Sequence, residues 1–224
     1  MRTCSPPLND WRHHLAGTEH RAGSHDPTWC LIAANLGDGG PFVYKKTRRG
    51  NTELDSAVRH ALENSGHQNR VIEFSPYGYD ERQYGSPGFN PPVGSLTRTP
   101  YGEFAEYHTS ADDLDFVSAV HLAESLRVYL SVLEILEGNA TLLNASPMGE
   151  PELGRRGLYR TIGHGTDQHD AQLAMLWVLN MSDGDNSLLD MAERSGLPFG
   201  VIRSAADALI DAELLVRGGS PHTI

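Results

Sequence analysis

The side chains best suited to hold a metal or move a proton gather in residues 103–116, EFAEYHTSADDLDF, where His108 lies in a polar, tyrosine-flanked loop followed by Asp112, Asp113 and Asp115. Imidazole beside carboxylates suits a zinc or manganese site. A plainer reading uses the same residues: histidine is common on exposed loops, and carboxylates ahead of a helix complement the positive end of its dipole. Both readings stand at this level. Asp38 is a second candidate, in the turn Gly37-Asp38-Gly39-Gly40-Pro41 that ends the apolar run TWCLIAANL. Open α/β sheets hold their ligands just past the carboxyl ends of strands.

A third candidate lies in residues 75–102, which hold five of the 13 prolines and so resist regular structure. Within them SPYGYDERQYGSPGF sets Asp80, Glu81 and Arg82 among tyrosines. A long irregular stretch in a compact domain tends to carry function. Alternatively, Tyr77, Tyr79 and Tyr84 simply pin the loop to the body of the protein.

These residues need a frame. The run 28–36 reads as a buried strand, and Asn51 as the N-cap of a helix carrying Leu54, Val58, Ala61 and Leu62 and stopped by Ser65-Gly66. Val71–Phe74 reads as the next strand, which completes a βαβ pattern. From Ser118 to about Leu136, Ala119, Leu122, Leu126, Leu130, Leu133 and Leu136 form a stripe that predicts a helix packed on the sheet. Residues 1–27, with His13, His14, His20 and His25 at irregular spacing, read as a poorly ordered leader, 28–140 as an α/β domain, and 141–166 as a connecting region.

Residues 167–217 read as a small module of helices around 173–179, 187–194 and 199–212 with a strand at 214–216, ahead of a tail at 218–224. Helix, helix, turn, helix, strand is the winged-helix plan. Residues 165–224 hold three arginines against nine Asp and Glu, a net charge of −6, which opposes phosphate contacts and favours a packing role. The whole chain, with Lys plus Arg at 18 and Asp plus Glu at 29, carries −11, so neither a transcriptional regulator nor generic nucleic-acid binding is expected. No apolar run reaches the roughly 20 residues of a membrane span. Cys4 and Cys30 form no CxxC motif, and no secretory signal opens the sequence, so a reducing cytoplasm is the expected compartment.

The run from Asp38 through GPFVYKKTRRG, continuing in SPYGYDERQYGSPGFNPPVGSLTRTPYGEFAEYHTSADDLDFV, resembles bacterial aminopeptidase-like proteins of unknown function found beside polysaccharide-biosynthesis genes. Those proteins are related to co-catalytic zinc aminopeptidases, and the resemblance covers about residues 28–217, including the final winged helix. It implies a three-layer α/β domain, here truncated, followed by a small winged helix-turn-helix domain.

In the zinc aminopeptidases the ligands run His, bridging Asp, Glu, Asp, His, with a catalytic Glu as general base beside the third. The resemblance makes Asp38 the fourth ligand and His108 the last, lets Asp112 or Asp113 orient the His108 ring, and places Asp80, Glu81 and Arg82 on the loop lining the substrate pocket. The implied reaction is zinc-assisted hydrolysis of a peptide or amide bond in a small peptide-like or amino-group-bearing substrate. The earlier ligands and the general base belong upstream of residue 28, and no Glu-Glu pair occurs in the sequence. The expectation is therefore the C-terminal portion of such a protein, inactive alone because zinc needs at least three protein ligands. It would also have an uncovered sheet edge near Leu31–Leu36. The alternative is a noncatalytic binding or assembly protein that uses the α/β layer and the acidic winged helix. Self-association into a homo-oligomer is compatible with either.

Overall fold

The computed structural model describes residues 29–156, 158 and 166–217. The leader at 1–27, the tail at 218–224 and positions 157 and 159–165 of the expected connector lie outside the described residues. A mixed four-stranded sheet forms the first layer, in the order β1 (Cys30–Ala33), β4 (Val93–Thr97), β2 (Phe42–Lys45), β3 (Asn69–Ile72). β1 runs parallel to β4 and β2 parallel to β3, whereas β2 and β4 are antiparallel.

The βαβ unit is β2, helix α1 (Glu53–Glu63) and β3. It is not built on the apolar run 28–36, because β1 pairs with β4 and stands at one end of the sheet, half-buried rather than buried. Thr52, and not Asn51, caps α1: its hydroxyl accepts from Asp55 N while the Asp55 carboxylate accepts from Thr52 N, a closed capping box. Residues 75–102 also contain regular structure, the short helix α2 (Glu81–Tyr84) and the fully buried β4.

Helix α3 (Ala119–Gly138) covers the sheet beside α1. Its packing ridge is Ser125, Val128, Val132 and Ile135, all buried, while Leu122, Leu126 and Leu130 of the expected stripe stay 46%, 58% and 42% exposed. The helix is apolar on two ridges, and the sheet takes the one with small and β-branched side chains. Phe42 and Tyr44 of β2 face the helices, with the Tyr44 hydroxyl on Asp55 at 2.8 Å. Val43 and Lys45 face the opposite side, where Lys45 meets the α2 loop.

The C-terminal module holds α4 (Thr166–Met181), α5 (Leu188–Ser195) and α6 (Phe199–Asp211) around an antiparallel sheet ordered β6 (Asp183–Ser187), β5 (Thr141–Asn144), β7 (Leu215–Arg217). Its strand β5 comes from the segment read as a connector. Ser187 and Asp190 form the capping box of α5, and Gly196 ends that helix in the left-handed region at φ 71°. One continuous core joins Leu54, Val58 and Leu62 of α1 to Met191, Ile202 and Leu209 of the C-terminal module.

Candidate active site

Asp38 lies five residues past β1, at the end where β1 and β4 both finish. The carboxylate is 6% exposed, and its Oδ2 accepts from the Thr99 hydroxyl and from Gly40 N at 2.9 Å. Thr99 lies two residues past the end of β4, so two parallel strand ends bring acceptor and donor together. Arg98 fixes the turn from beneath. It is 3% exposed, donates to Gly40 O at 2.9 Å, to the Ser125 hydroxyl at 3.0 Å and to Glu124 at 2.5 Å, and lies 4.4 Å over the Phe42 ring. A guanidinium buried with this many acceptors holds its loop in one place.

Tyrosines tie the neighbouring loops to this end of the sheet. The Tyr79 hydroxyl accepts from Asn35 Nδ2 at 2.8 Å and from Tyr101 N at 3.3 Å. Burial pushes this phenol up to about 12, so it stays protonated at neutral pH. Tyr101 meets Tyr77 and Tyr79 edge-on at 5.4 Å and Tyr107 at 6.2 Å, and the Tyr107 ring stacks on His108 at 4.0 Å. This relay connects the Asp38 turn to the His108 loop. His108 itself is exposed and sits at φ 58°, a left-handed conformation that a non-glycine residue adopts at a cost of about 1 kcal/mol.

Asp112 and Asp113, in the same loop as His108, are exposed. The Asp113 carboxylate accepts from Asp115 N at 2.9 Å and Phe116 N at 3.4 Å and so shapes the turn into α3. Asp80 and Arg82 are exposed at the start of α2, whereas Glu81 is wholly buried, ion-paired with Lys45, and accepts from Tyr79 N at 3.2 Å through Oε1. Its Oε2 has no partner among the described residues.

Sequence reasoning missed Arg98, Thr99, Asn35 and His121. The His121 ring presses on Gly39, where an added Cβ would lie 2.8 Å from its Cε1, and its buried Nδ1 has no partner among the described residues. A histidine in the first turn of an amphipathic helix gives no sign of this role.

Among the described residues no three His, Cys, Asp or Glu side chains come together as a metal site. Zinc takes at least three protein ligands, so Asp38 and His108 do not by themselves fit it.

Residues 19–139 match the model of a family described as a domain of unknown function (DUF4910). The chain belongs to the DUF4910 family. Residues 124–217 match a winged helix-turn-helix model, which takes in α3 as well as the C-terminal module. The DUF4910 chain is 51% identical over 185 residues to a Clostridium acetobutylicum protein named as a candidate polysaccharide biosynthesis protein with an aminopeptidase-like domain, a match covering 83% of this chain and 42% of the relative. It is also similar to the crystal structure of a candidate peptidase from Clostridium acetobutylicum, with TM-score 0.78 and 46% identity over 85% of this chain and 42% of that one. The chain thus spans less than half the length of the relatives it matches. Its fold is the aminopeptidase-like α/β layer joined to a winged helix, as the resemblance implied. Among the described residues no helix is long and apolar enough to cross a membrane.

Proposed function

We propose that this chain is part of an aminopeptidase-like hydrolase, contributing Asp38 and His108 as two ligand positions of a zinc site that other residues must complete. The observation that carries the reading is the buried Asp38 carboxylate, oriented by Thr99 and Gly40 at a strand's carboxyl end. Burying a carboxylate is costly unless its charge is used or compensated, and here only one oxygen is bound by those donors. The neighbouring 46% identical peptidase-like structure supports the class of chemistry.

In this reading Asp112 and Asp113 serve the His108 loop. The Asp80–Arg82 segment presents Asp80 and Arg82 to a peptide-like or amino-group-bearing substrate, while Glu81 anchors the loop from below. The chain resides in the cytoplasm and binds no nucleic acid, in keeping with the −6 charge of residues 165–224.

The test is the zinc content of the purified chain, alone and mixed with the part of the Clostridium acetobutylicum relative that it does not span, wild type against D38A and H108A, together with release of an N-terminal residue from aminoacyl p-nitroanilides. Stoichiometric zinc that both substitutions abolish supports the ligand positions. Zinc-stimulated hydrolysis by the isolated chain would overturn the claim that it needs completion. A chain that binds no zinc in any setting leaves the noncatalytic binding or assembly role.

A further inference from the structure

The end of α1, the second half of α3 and the first turns of α6 enclose a cleft of about 590 Å³ where the α/β layer meets the winged module. That volume suits a small organic molecule rather than a single ion. Ile135 and Phe199, both buried, supply its apolar wall.

Hydrogen-bond donors gather at the α6 end. The His60 ring, 4% exposed, lines the cleft, and its Nε2 accepts from Phe199 N at 3.0 Å and faces Asn64 Nδ2 at 3.4 Å, so its proton sits on Nδ1. That Nδ1–H has no acceptor among the described residues and is not sealed off from the cleft that the ring lines. Gly200 N–H, in the first turn of α6, also lacks an acceptor among the described residues, because Pro198 offers no side-chain cap. Arg203 spends its Nε on Asp207 at 3.2 Å, and its terminal nitrogens have no acceptor among the described residues. They lie against Gly138, where an added Cβ would collide with Nη1.

Glu134 and Glu137 of α3 line the same cleft, are exposed, and have no side-chain partner among the described residues. The guanidinium and these carboxylates therefore share one cleft without meeting. A bare anion would satisfy the donors but be repelled by Glu134 and Glu137, and a bare cation would leave the donors unmet. A molecule carrying both charges satisfies both walls. Because the walls stay apart, it must be longer than an amino acid, whose two charged groups share one carbon.

We propose that this cleft binds a short peptide with free termini. Its carboxylate takes the His60, Gly200 and Arg203 donors, its ammonium faces Glu134 and Glu137, and an apolar side chain rests on Ile135 and Phe199. His60 belongs to the α/β layer and Gly200 and Arg203 to the winged module, so the bound carboxylate ties the two together. The site stands on its own donors and acceptors and does not depend on the hydrolase reading.

The experiment is calorimetric titration of the full chain, in EDTA, with the dipeptide Leu-Phe, its N-acetyl form and its C-terminal amide. Leu-Phe should bind one to one, and each blocked form at least about tenfold more weakly, since each loses a charge-assisted contact. R203Q should weaken Leu-Phe by about the same factor and leave the amide unchanged, because the amide has no carboxylate to lose. E134Q combined with E137Q should likewise weaken Leu-Phe and leave the N-acetyl form unchanged. The Arg203 side chain is 37% exposed and its pair with Asp207 lies at the surface, so R203Q keeps its fold, which circular dichroism checks. A folded chain that binds no Leu-Phe at millimolar concentration overturns the proposal. Equal affinity for the blocked peptides, or indifference to R203Q, overturns it too. Binding that D38A abolishes and R203Q spares would place the peptide at the strand ends instead and equally overturns it.

Discussion

His60 Nε2 accepts the backbone N–H of Phe199 at 3.0 Å, so the ring of a helix in the α/β layer caps the first residue of the last helix of the winged module. This bond requires a neutral imidazole. Burial pushes the His60 pKa below its ordinary 6.5, against the opposing pull of Glu193 and Glu63, and Arg59 adds to the lowering. Because the folded value is depressed, the stabilisation is complete above about 6.5 and is lost as pH falls through the folded pKa, where folding must exclude a proton that the unfolded chain binds. The urea midpoint should therefore drop between pH 7.5 and pH 5. In H60A that part of the pH dependence disappears, and stability at pH 7.5 falls by about 1 to 3 kcal/mol because a buried N–H loses its acceptor.

Asp55 is 6% exposed and gathers five donors: Tyr44 OH, Thr47 N, Thr47 Oγ1, Thr52 N and Thr52 Oγ1, all at 2.6–2.8 Å. Burial pushes its carboxyl up, but the hydrogen bonds from Thr47 and Thr52 outweigh it and hold the group below the usual 3.8. D55A strands these donors and should cost about 3 kcal/mol or more, whereas T52A removes a helix cap and should cost about 1 kcal/mol. The Asp55 contribution is present above pH 3.8 and is lost as pH falls through the lower folded value, which acid titration of the wild type against D55A would show.

The elements legible from sequence were those whose pattern is local. The Ser65-Gly66 stop and the apolar spacing of residues 54–62 are local to one helix, and α1 formed there, although its cap is Thr52 rather than Asn51. β2 and β4 escaped because Tyr44, Lys45, Gly94 and Ser95 interrupt their apolar character. They are buried only because helices and the α2 loop cover both faces of the sheet, which no local pattern records. The α3 ridge was misassigned for the same reason. Two apolar ridges fit the helix, and only the partner surface decides between them.

Residue type and turn placement single out candidates in the sequence but not what orients them. Asp38 and His108 stood out by their turns, but Thr99 and Arg98, which orient the Asp38 turn, lie about 60 positions away in sequence. Their link exists only through the pairing of β1 with β4.

Lys45 and Glu81 make a buried ion pair, with side chains 9% and 0% exposed, and Lys45 Nζ also donates to Tyr77 O at 2.9 Å. Removing one charge leaves the other without a counterion in a dry site. K45M should destabilise by roughly 3 to 5 kcal/mol, and E81Q should also destabilise. The double variant should lose less than the sum of the two, which a double-mutant cycle in urea would measure. If the singles simply add, the two charges are not coupled.

Gly94 sits in β4 where its strand passes the Tyr44 ring, and a Cβ there would lie 2.5 Å from the Tyr44 hydroxyl and 2.7 Å from Cε2. The ring cannot simply swing away. It is wholly buried, and its hydroxyl is bonded to Asp55, so moving it breaks the same network that closes the cap of α1. G94A should therefore cost more than the usual 1 to 3 kcal/mol of an overpacked core, although alanine is otherwise the better strand residue. Combining it with Y44F separates the causes. If the cost is steric it persists in Y44F, because the ring remains; if it comes from the lost bond to Asp55, G94A adds little once the hydroxyl is gone.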